Sequence, residues 1–579
     1  MHDDAGGRAI RRRAADGRVT ATTLARVLID TLRACGVRHL FGNPGTTELP
    51  FLDALPDSGL EYVVALQEAS AVAAADGYAQ ASGSLAVANV HVAPGLANAL
   101  SVLHNAARSR SPVLLTAGQQ DTRLLLHEPI LSGDLVRMAE PFTKWSYEIR
   151  RADEAVPALR RAITLALTPP AGPVFLALPM DLMAEAADEA AATAGAPAVP
   201  RGPQPDPAAV DRAADVLARA AAPVIVAGDG VARSVGGFNV LVLVADLLGA
   251  RVYGEPVYRR ANFPGDHPLW RGGLYPAPGA VRKALDGADA VLVAGADVFT
   301  WFLHGPGRPF PPGVPVVQVA DDPRQIGRSY PVDVTLWADV GEALVQLDRA
   351  LRRRLTDTQR AAAVERRVNL ERVRAEFVAR LRAAAEAEAA RAPITPAYLM
   401  HTLSTLLPED AVIVDESASS LPHVLRHVPF ARPRSFYGSK TGTLGWAMGA
   451  AVGVALAEPN RKVVGVIGDG SVMYAPQALW TAARHRLPIT YVVPNNASYA
   501  ILKSGMAALG LPSAKRGVYP GLDLVDPEID YLALARALGV RGERVDEPGA
   551  LRDALAACLA HPGPSLVDVA IDRAVAERP

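Results

Sequence analysis

"KVVGVIGDGSVMYAPQALWTAARHRLPITYVVPNNASYA", residues 462–500, decides how the rest of the chain is read. An apolar strand ends in Gly468-Asp469-Gly470-Ser471. A helix follows, with Leu479 and Trp480 on its apolar side, and ends near His485. A second apolar strand ends in Asn495-Asn496. Such a strand–helix–strand unit is a right-handed crossover between parallel strands. It predicts neighbouring strands, with Asp469 and Asn496 at their carboxyl ends, the edge where open α/β sheets bind ligands.

The residue types narrow the ligand. Asp469 and Asn496 offer hard oxygens, suited to Mg²⁺ or Ca²⁺ and unsuited to soft metals. One carboxylate and one amide leave a divalent ion under-neutralised, and a diphosphate would supply the missing charge. Gly470 and the helix start after Ser471 offer N–H groups to it. Glycines on both sides of Asp469 allow close backbone approach. A second GDG, Gly228-Asp229-Gly230, has Pro256 where an Asn pair would fall. That copy reads as a structural turn.

Outward from this unit, short apolar runs alternate with helical patterns in three regions, the signature of parallel α/β domains. The predicted organisation is α/β, with three doubly wound parallel-sheet domains. A tail covers 1–18 and a first domain 19–190, with strands in "HLFG", "EYVVAL", "LAVANVHV", "SPVLLTAG" and "GPVFLALP". A Pro/Ala/Gly-rich linker occupies 191–206. The central domain, 207–350, carries "APVIVAGDG", "DAVLVAGAD" and "VPVVQVADD". A charged stretch, 351–393, reads as a long solvated connecting helix. The last domain, 394–579, adds "DAVIVDES" and "GPSLVDVAI" to the unit quoted first. Its alternation matches that of the first domain, as a shared ancestral fold would.

Bulk composition excludes several classes. In 579 residues, 59 Lys and Arg balance 60 Asp and Glu, so no global field favours nucleic acid or an anionic membrane. Arg11-Arg12-Arg13 belongs to the tail and reads as solvated. Two cysteines, Cys35 and Cys558, rule out a disulfide scaffold and a thiolate zinc site, and fit a reducing compartment. No apolar run reaches the ~18–20 residues of a membrane span, and a cytoplasmic enzyme is expected.

"FGNPGTTELPF", residues 41–51, is a turn between a strand and a helix. Thr46 or Thr47 is expected to cap that helix, with Glu48 and Pro50 in its first turn. Glu68 starts a helix rich in Ala, Ser and Gly, whose small side chains permit a tight interface. His91 ends the strand "LAVANVHV", a suitable place for a proton-transferring imidazole.

Taken together, GDG followed by NN, "FGNPGTTELPFLDALPDSGLEYVVALQEASAVAAADGYAQASG", "NVHVAPGLANAL", "TAGQQ", "KWSYE" and "GDGSVMYAPQALWTAARHRLP" resemble the thiamine-diphosphate-dependent enzymes, in particular their benzoylformate decarboxylase branch. The resemblance runs from about Thr20 to near the end. It implies pyrimidine-binding, central Rossmann-like and diphosphate-binding domains. It also implies active sites shared between subunits, hence a homodimer at minimum and commonly a homotetramer. By position, Asp469 and Asn496 match the metal ligands, with the Ser498 carbonyl completing the set. Gly468, Gly470, Ser471, Ser417, Ser419 and Tyr499 match cofactor-contacting positions, and Ala418 stands where Thr is common. Leu444 matches the apolar wedge that bends the cofactor, and Gly442 the carbonyl facing the aminopyrimidine. Glu68 matches the carboxylate on the pyrimidine ring. His91 matches a catalytic imidazole, and Thr46 stands where a Ser is usual.

The resemblance implies decarboxylation of a 2-oxo acid, aryl or branched, through an enamine intermediate. An acceptor aldehyde or ketone would turn the same chemistry into acetolactate-synthase-like carboligation. A non-catalytic cofactor-binding paralogue is the reading of another class, and intact Glu68, Asp469 and Asn496 speak against it. The pattern breaks at the substrate pocket. Phe302 stands where a second His is expected, with His304 two residues on. Gly438 and Gly505 replace aromatic walls and Ile501 a smaller residue, so a widened pocket is expected. Lys503 reads as a solvated lysine near the pocket mouth. No G-x-G-x-x-G marks the central domain, and no FAD is expected.

Overall fold

Three parallel six-stranded sheets organise the computed structural model, which describes residues 22–573 apart from 193, 194, 196, 200, 201 and 303. The tail with its Arg11–Arg13 run lies outside the described residues, as does part of the 191–206 linker. The first sheet contains β1 (His39–Gly42), β2 (Glu61–Val64), β3 (Ala86–Val90), β4 (Val113–Gln119), β5 (Ser146–Glu148) and β6 (Val174–Pro179). The second contains β7 (Pro223–Ala227), β8 (Arg251–Gly254), β9 (Trp270–Gly273), β10 (Ala290–Ala294), β11 (Val316–Ala320) and β12 (Val334–Trp337). The third contains β13 (Val412–Glu416), β14 (Phe436–Gly438), β15 (Val463–Ile467), β16 (Ile489–Asn495), β17 (Arg541–Val545) and β18 (Ser565–Ala570). Four helices recur below: α1 (Glu68–Ser82), α2 (Val92–Ser109), α3 (Asp357–Ala387) and α4 (Trp446–Ala457).

Strand order separates the sheets into two kinds. The first runs β2-β1-β3-β4-β6-β5 and the third β14-β13-β15-β16-β18-β17. Numbered within each sheet, both are 2-1-3-4-6-5. This is the likeness that their alternation announced. The second sheet runs β9-β8-β7-β10-β11-β12, the 3-2-1-4-5-6 order of dinucleotide-binding folds. In the third sheet β15 pairs with β16 in parallel, from Val463 opposite Ile489 to Val466 opposite Val492, as the crossover reading requires. One expectation fails there. The helix between them is broken into Asp469–Val472 and Ala478–Arg484. Pro476 lacks an N–H and pushes its predecessor out of helical geometry.

The chain divides into two compact units: Met1–Pro200 with Met448–Glu458 and Ala475–His485, and Arg201–Ala447 with Pro459–Tyr474 and Arg486–Pro579. The first unit holds the first sheet. Its core includes Leu24, Ile29, Leu40, Val87, Leu114 and Leu176. The small residues of α1 do allow a close approach, and α4 is what approaches. A Cβ placed on Gly453 would lie 1.8 Å from the Ala74 carbonyl oxygen, and one on Gly77 2.4 Å from that of Ala450. The backbones touch, and only glycine fits.

The second unit holds the other two sheets, whose apolar faces join in one core running from Ala209 to Ile571. The connecting stretch contains α3, whose described buried residues are only Ala363 and Ala385. Arginines nevertheless tie it down: Arg366 donates to the Leu248 carbonyl at 2.6 Å and Arg374 to that of Gly265 at 2.7 Å. Cys35 and Cys558 are free thiols. Among the described residues no helix is long and apolar enough to cross a membrane.

Candidate active site

In the first unit, the chain leaves β1 through Asn43-Pro44-Gly45 into a single 3₁₀ turn, Thr46–Glu48, before Leu49–Asp53 becomes helical. Gly45, rather than a threonine, takes the cap position. The side chain doing the capping is Glu48, which reaches back to accept from Gly45 N at 2.8 Å. Its carboxylate is 1% exposed and fully engaged. Oε1 accepts from Gly118 N at 2.7 Å and from the Thr47 hydroxyl at 3.0 Å. Oε2 also lies 2.8 Å from Nδ1 of His91. An ionised carboxylate only accepts, so His91 carries its proton on Nδ1 and leaves Nε2 as the free nitrogen. Thr47 Oγ1 lies 3.1 Å from the same Nδ1. Gly45 is required for sterics: a Cβ there would sit 2.2 Å from His91 Nδ1.

The same turn reaches Glu68. Asn43 Nδ2 donates to Glu68 Oε1 at 3.1 Å, and Asn98 of α2 donates to Oε2 at 3.0 Å. Gly95 lets α2 pass close by, since its Cβ would come 3.1 Å from Oε1. Glu68 is 8% exposed. Thr46, the hydroxyl singled out from sequence, is exposed, and it is Thr47 that contacts His91. Sequence reading singled out Glu68 and His91 but not the partners that hold them, Asn43 and Asn98 on Glu68 and the Glu48 carboxylate on His91. A glutamate placed three residues after a turn glycine was the available signal.

In the second unit, Asp469 and Asn496 converge as expected. Ser498 N donates to Asn496 Oδ1 at 3.0 Å and to Asp469 Oδ2 at 3.3 Å, so one N–H spans both side chains. All three residues are buried. The asparagines divide their labour. Asn495 secures the turn, accepting from Ala497 N at 2.9 Å and donating to Asp568 at 3.0 Å, while Asn496 faces Asp469 and reaches Ser419 Oγ at 3.5 Å. Burial pushes the Asp469 carboxyl up to about 6, against the pull of the Gly470, Ser498 and Ala497 N–H groups. A Cβ on Gly470 would stand 2.6 Å from the Tyr499 ring.

Ser417 is turned inward, donating to Asp415 Oδ1 at 2.6 Å. Gly442 has φ +74° and open space where a Cβ would be. Beyond it Glu416, also missed from sequence, accepts from Gly445 N at 2.5 Å and Ala447 N at 2.8 Å and so fixes the loop carrying Gly442 and Leu444. Burial raises the Glu416 carboxyl to about 8. Among the described residues no group of three or more His, Cys, Asp or Glu is placed to hold a metal ion. One carboxylate, one amide and backbone oxygens suit a hard cation whose remaining charge is met by an anionic ligand.

Family models match the chain in three places: the thiamine pyrophosphate enzyme N-terminal TPP binding domain over residues 22–136, the central domain over 210–347 and the C-terminal TPP binding domain over 419–569. The chain belongs to the thiamine pyrophosphate enzymes. Thiamine pyrophosphate is thiamine diphosphate under its other name, and the donor set at Asp469 and Asn496 fits its metal-bridged diphosphate. Among relatives of this thiamine pyrophosphate enzyme, the benzoylformate decarboxylase of Pseudomonas aeruginosa is 35% identical over 91% of this chain and 96% of its own. A probable acetolactate synthase large subunit from Methanocaldococcus jannaschii is 27% identical over 95% and 92%. The solved structure of a thiamine diphosphate-dependent 4-hydroxybenzoylformate decarboxylase from Rhodococcus jostii RHA1 superposes with TM-score 0.83 at 31% identity, covering 96% of this chain and 100% of that one.

The predicted pocket residues are where this enzyme departs most from expectation. Phe302 and His304 lie on an exposed loop, Phe302 66% exposed. Gly438 opens no space: a Cβ there would meet Arg259 Cδ at 2.7 Å, so the arginine stem fills the gap left by the missing ring. Gly505 does face open space, and Ile501 on the same helix is 38% exposed. Lys503 is buried rather than solvated. It pairs with Asp523 and lies over the Tyr519 ring at 5.4 Å, because the chain folds back over it after Gly517.

Proposed function

We propose that this enzyme is a nonoxidative decarboxylase of an aryl or branched 2-oxo acid, dependent on thiamine diphosphate and Mg²⁺ (or Ca²⁺), and active as a homodimer at minimum. The observation that carries the reading is that one turn, residues 43–48, holds Glu68 through Asn43 and His91 through Glu48. A pyrimidine-facing carboxylate and a proton-transferring imidazole are thereby kept in fixed register. Bound thiamine diphosphate supplies the carbon nucleophile and the electron sink for the departing carboxylate.

The chain's own residues do the rest. Asp469, Asn496 and the Ser498 carbonyl hold the metal. Gly468, Gly470, Ser471, Ser417, Ser419 and Tyr499 surround the diphosphate. The Gly442 carbonyl and Glu68 take the aminopyrimidine, and Leu444 shapes the bound cofactor. Glu48 keeps the proton on Nδ1 of His91, so Nε2 is the atom that takes or returns a proton at substrate. The exposed Thr46 hydroxyl is free to meet the substrate carboxylate.

A second reading, acyloin-forming carboligation with an aldehyde or ketone acceptor, draws on Phe302 in place of a second imidazole and on the open space at Gly505. Incubation with thiamine diphosphate, Mg²⁺ and a panel of 2-oxo acids, with and without acceptor aldehydes, separates the two by product mass. Aldehyde formed without acceptor supports the decarboxylase. A hydroxy ketone that forms only with acceptor supports the ligase. Cofactor binding without turnover of any donor overturns both.

A further inference from the structure

The Gly228-Asp229-Gly230 turn, which sequence alone made a structural copy, has a charged partner. It follows β7 at the point where the strand order of the second sheet reverses, between β7 and β10. Sheets of this order bind ligands at that crevice. Here a side chain of the same unit enters it. Lys440 Nζ donates to Asp229 Oδ2 at 2.7 Å, to Glu255 Oε1 at 2.8 Å and to the Val257 carbonyl at 3.1 Å. Its three N–H bonds meet three acceptors. The lysine side chain is 9% exposed, and the two carboxylates 7% and 4%. Asp229 N in turn donates to Glu255 Oε1 at 3.0 Å.

The turn is locked. A Cβ on Gly228 would lie 2.3 Å from Ala296 Cα, and one on Gly230 2.7 Å from the Gly295 carbonyl oxygen. A second set of bonds runs alongside. Asp229 Oδ1 accepts from Arg259 N at 2.9 Å, Arg259 Nε donates to the Ser439 carbonyl at 2.8 Å, and Gly438 N donates to the Arg259 carbonyl at 2.9 Å. Arg260 bridges Tyr437 in antiparallel fashion. The Lys440 bonds, the Arg259–Ser439 and Gly438–Arg259 bonds and the Tyr437 bridge all hold residues 437–440, immediately before Gly442 and Leu444. Glu416 holds the far end of the loop at Gly445 and Ala447. A buried charge cluster is a poor source of stability compared with apolar packing, and its best-attested use is to fix register.

We propose that Asp229 and Glu255 are positioning residues for the cofactor: through Lys440 they anchor the loop that carries Gly442 and Leu444. This rests on the assignment of those two residues to thiamine diphosphate. The central domain, in this reading, acts as a jig for the cofactor loop.

Lys440→Met tests it, with three readouts on the full chain. Amide exchange of peptide 438–445 in the cofactor-free protein should rise about tenfold or more, while that of Val463–Ile467 stays unchanged. The dissociation constant for thiamine diphosphate with Mg²⁺, read by tryptophan fluorescence, should rise about ten- to hundredfold. With the 2-oxo acid turned over by the parent enzyme, kcat should fall more than KM rises. A folded Lys440→Met protein with parental exchange and affinity overturns the proposal. Because that variant strands two buried carboxylates, Asp229→Asn/Glu255→Gln/Lys440→Met is made as well. It removes the charge mismatch and should fold with the same loosened loop, and a parental loop in it is equally fatal. One measurement needs no variant. In the unaltered cofactor-free protein, peptide 438–445 should be protected like 257–260, and free exchange of the former beside protection of the latter overturns the anchor. Failure of the unaltered protein to bind thiamine diphosphate would instead sink the functional reading, leaving the exchange comparison intact.

Discussion

Replacing Glu48 by Gln changes one atom and disturbs four hydrogen bonds. Each carboxylate oxygen of Glu48 accepts two: Gly45 N and His91 Nδ1 on Oε2, Gly118 N and the Thr47 hydroxyl on Oε1. A glutamine has one acceptor oxygen, and its amide nitrogen must face one of these pairs. If it faces Gly118, a buried backbone N–H loses its partner and His91 loses its anion. If it faces His91, the Gly45 N–H is stranded and Nδ1 must become an acceptor, moving the imidazole proton to Nε2. Either way the loss is one buried donor at about 1–3 kcal/mol plus one charge-assisted bond at about 1.5–3 kcal/mol. A stability loss of about 2.5–6 kcal/mol follows on the same scale. On turnover the ceiling is the whole contribution of a positioned acid–base group, roughly 10²–10⁴. The expectation for Glu48→Gln is a kcat lower by about 10²–10³ with KM within a few fold, since the carboxylate acts through His91. The assay is steady-state turnover of the decarboxylated 2-oxo acid, with melting temperature followed in parallel. The double variant Glu48→Gln/His91→Ala should be no slower than His91→Ala alone, because residues acting as a unit are not additive. A folded Glu48→Gln enzyme with near-parental kcat refutes the reasoning, as does a double variant slowed by the product of the two single effects.

Three further expectations can be checked directly. Gly45→Ala puts a methyl 2.2 Å from His91 Nδ1 and should cut kcat at least as deeply as Glu48→Gln, with thiamine diphosphate affinity unchanged in a fluorescence titration. Asp469→Ala should abolish the rise in melting temperature on adding thiamine diphosphate and Mg²⁺, a rise that reflects about 2.7 kcal/mol at a hundredfold excess over Kd. Burial raises the Glu416 carboxyl to about 8, so its neutral form is favoured in the folded state. Its contribution is complete below the unfolded value and is lost as pH rises through 8, at up to about 1.4 kcal/mol per pH unit. Glu416→Gln should therefore gain stability relative to the parent between pH 5 and 8, measured by urea denaturation of the cofactor-free protein. Asp415 and Asp469, both raised to about 6 by burial, keep a residual slope at the acid end of that range.

What the sequence made legible, and what it hid, follows from which forces act locally. Strands buried on both faces, such as β7, β10 and β15, read as unbroken apolar runs. The strands left unread, β5, β9, β12, β14 and β17, are all sheet edges, joined by β8 next to an edge. Apart from the short, buried β14, they are partly wet strands such as Arg541–Val545, which mixes charge and glycine, or Val334–Trp337, which alternates buried and exposed. The convergence of Asp469 and Asn496 was legible because the crossover puts both at the carboxyl ends of neighbouring strands. Glu48 was not, because its partners Gly118 and His91 are distant in sequence, and nothing in "TTELPF" announces them. Gly438 misled for the same reason: an absent ring looks like empty space until Arg259, 179 positions earlier, is seen to occupy it. Lys503 looked solvated because its counter-ion Asp523 comes only after a further turn of chain.

The Arg259–Arg260 segment lying along β14 has a consequence for how the polypeptide can be dissected. β14 is a sheet edge, and a bare edge is a template for unwanted strand addition. Here the guard is on loan from the neighbouring sheet, along with the arginine stem that plugs the Gly438 gap. An excised C-terminal fragment would therefore carry an uncovered edge, an unfilled slot and a lysine with no counter-ion. The second unit is a unit in a manufacturing sense: its two sheets are each other's finish, and neither is a module that can be shipped alone.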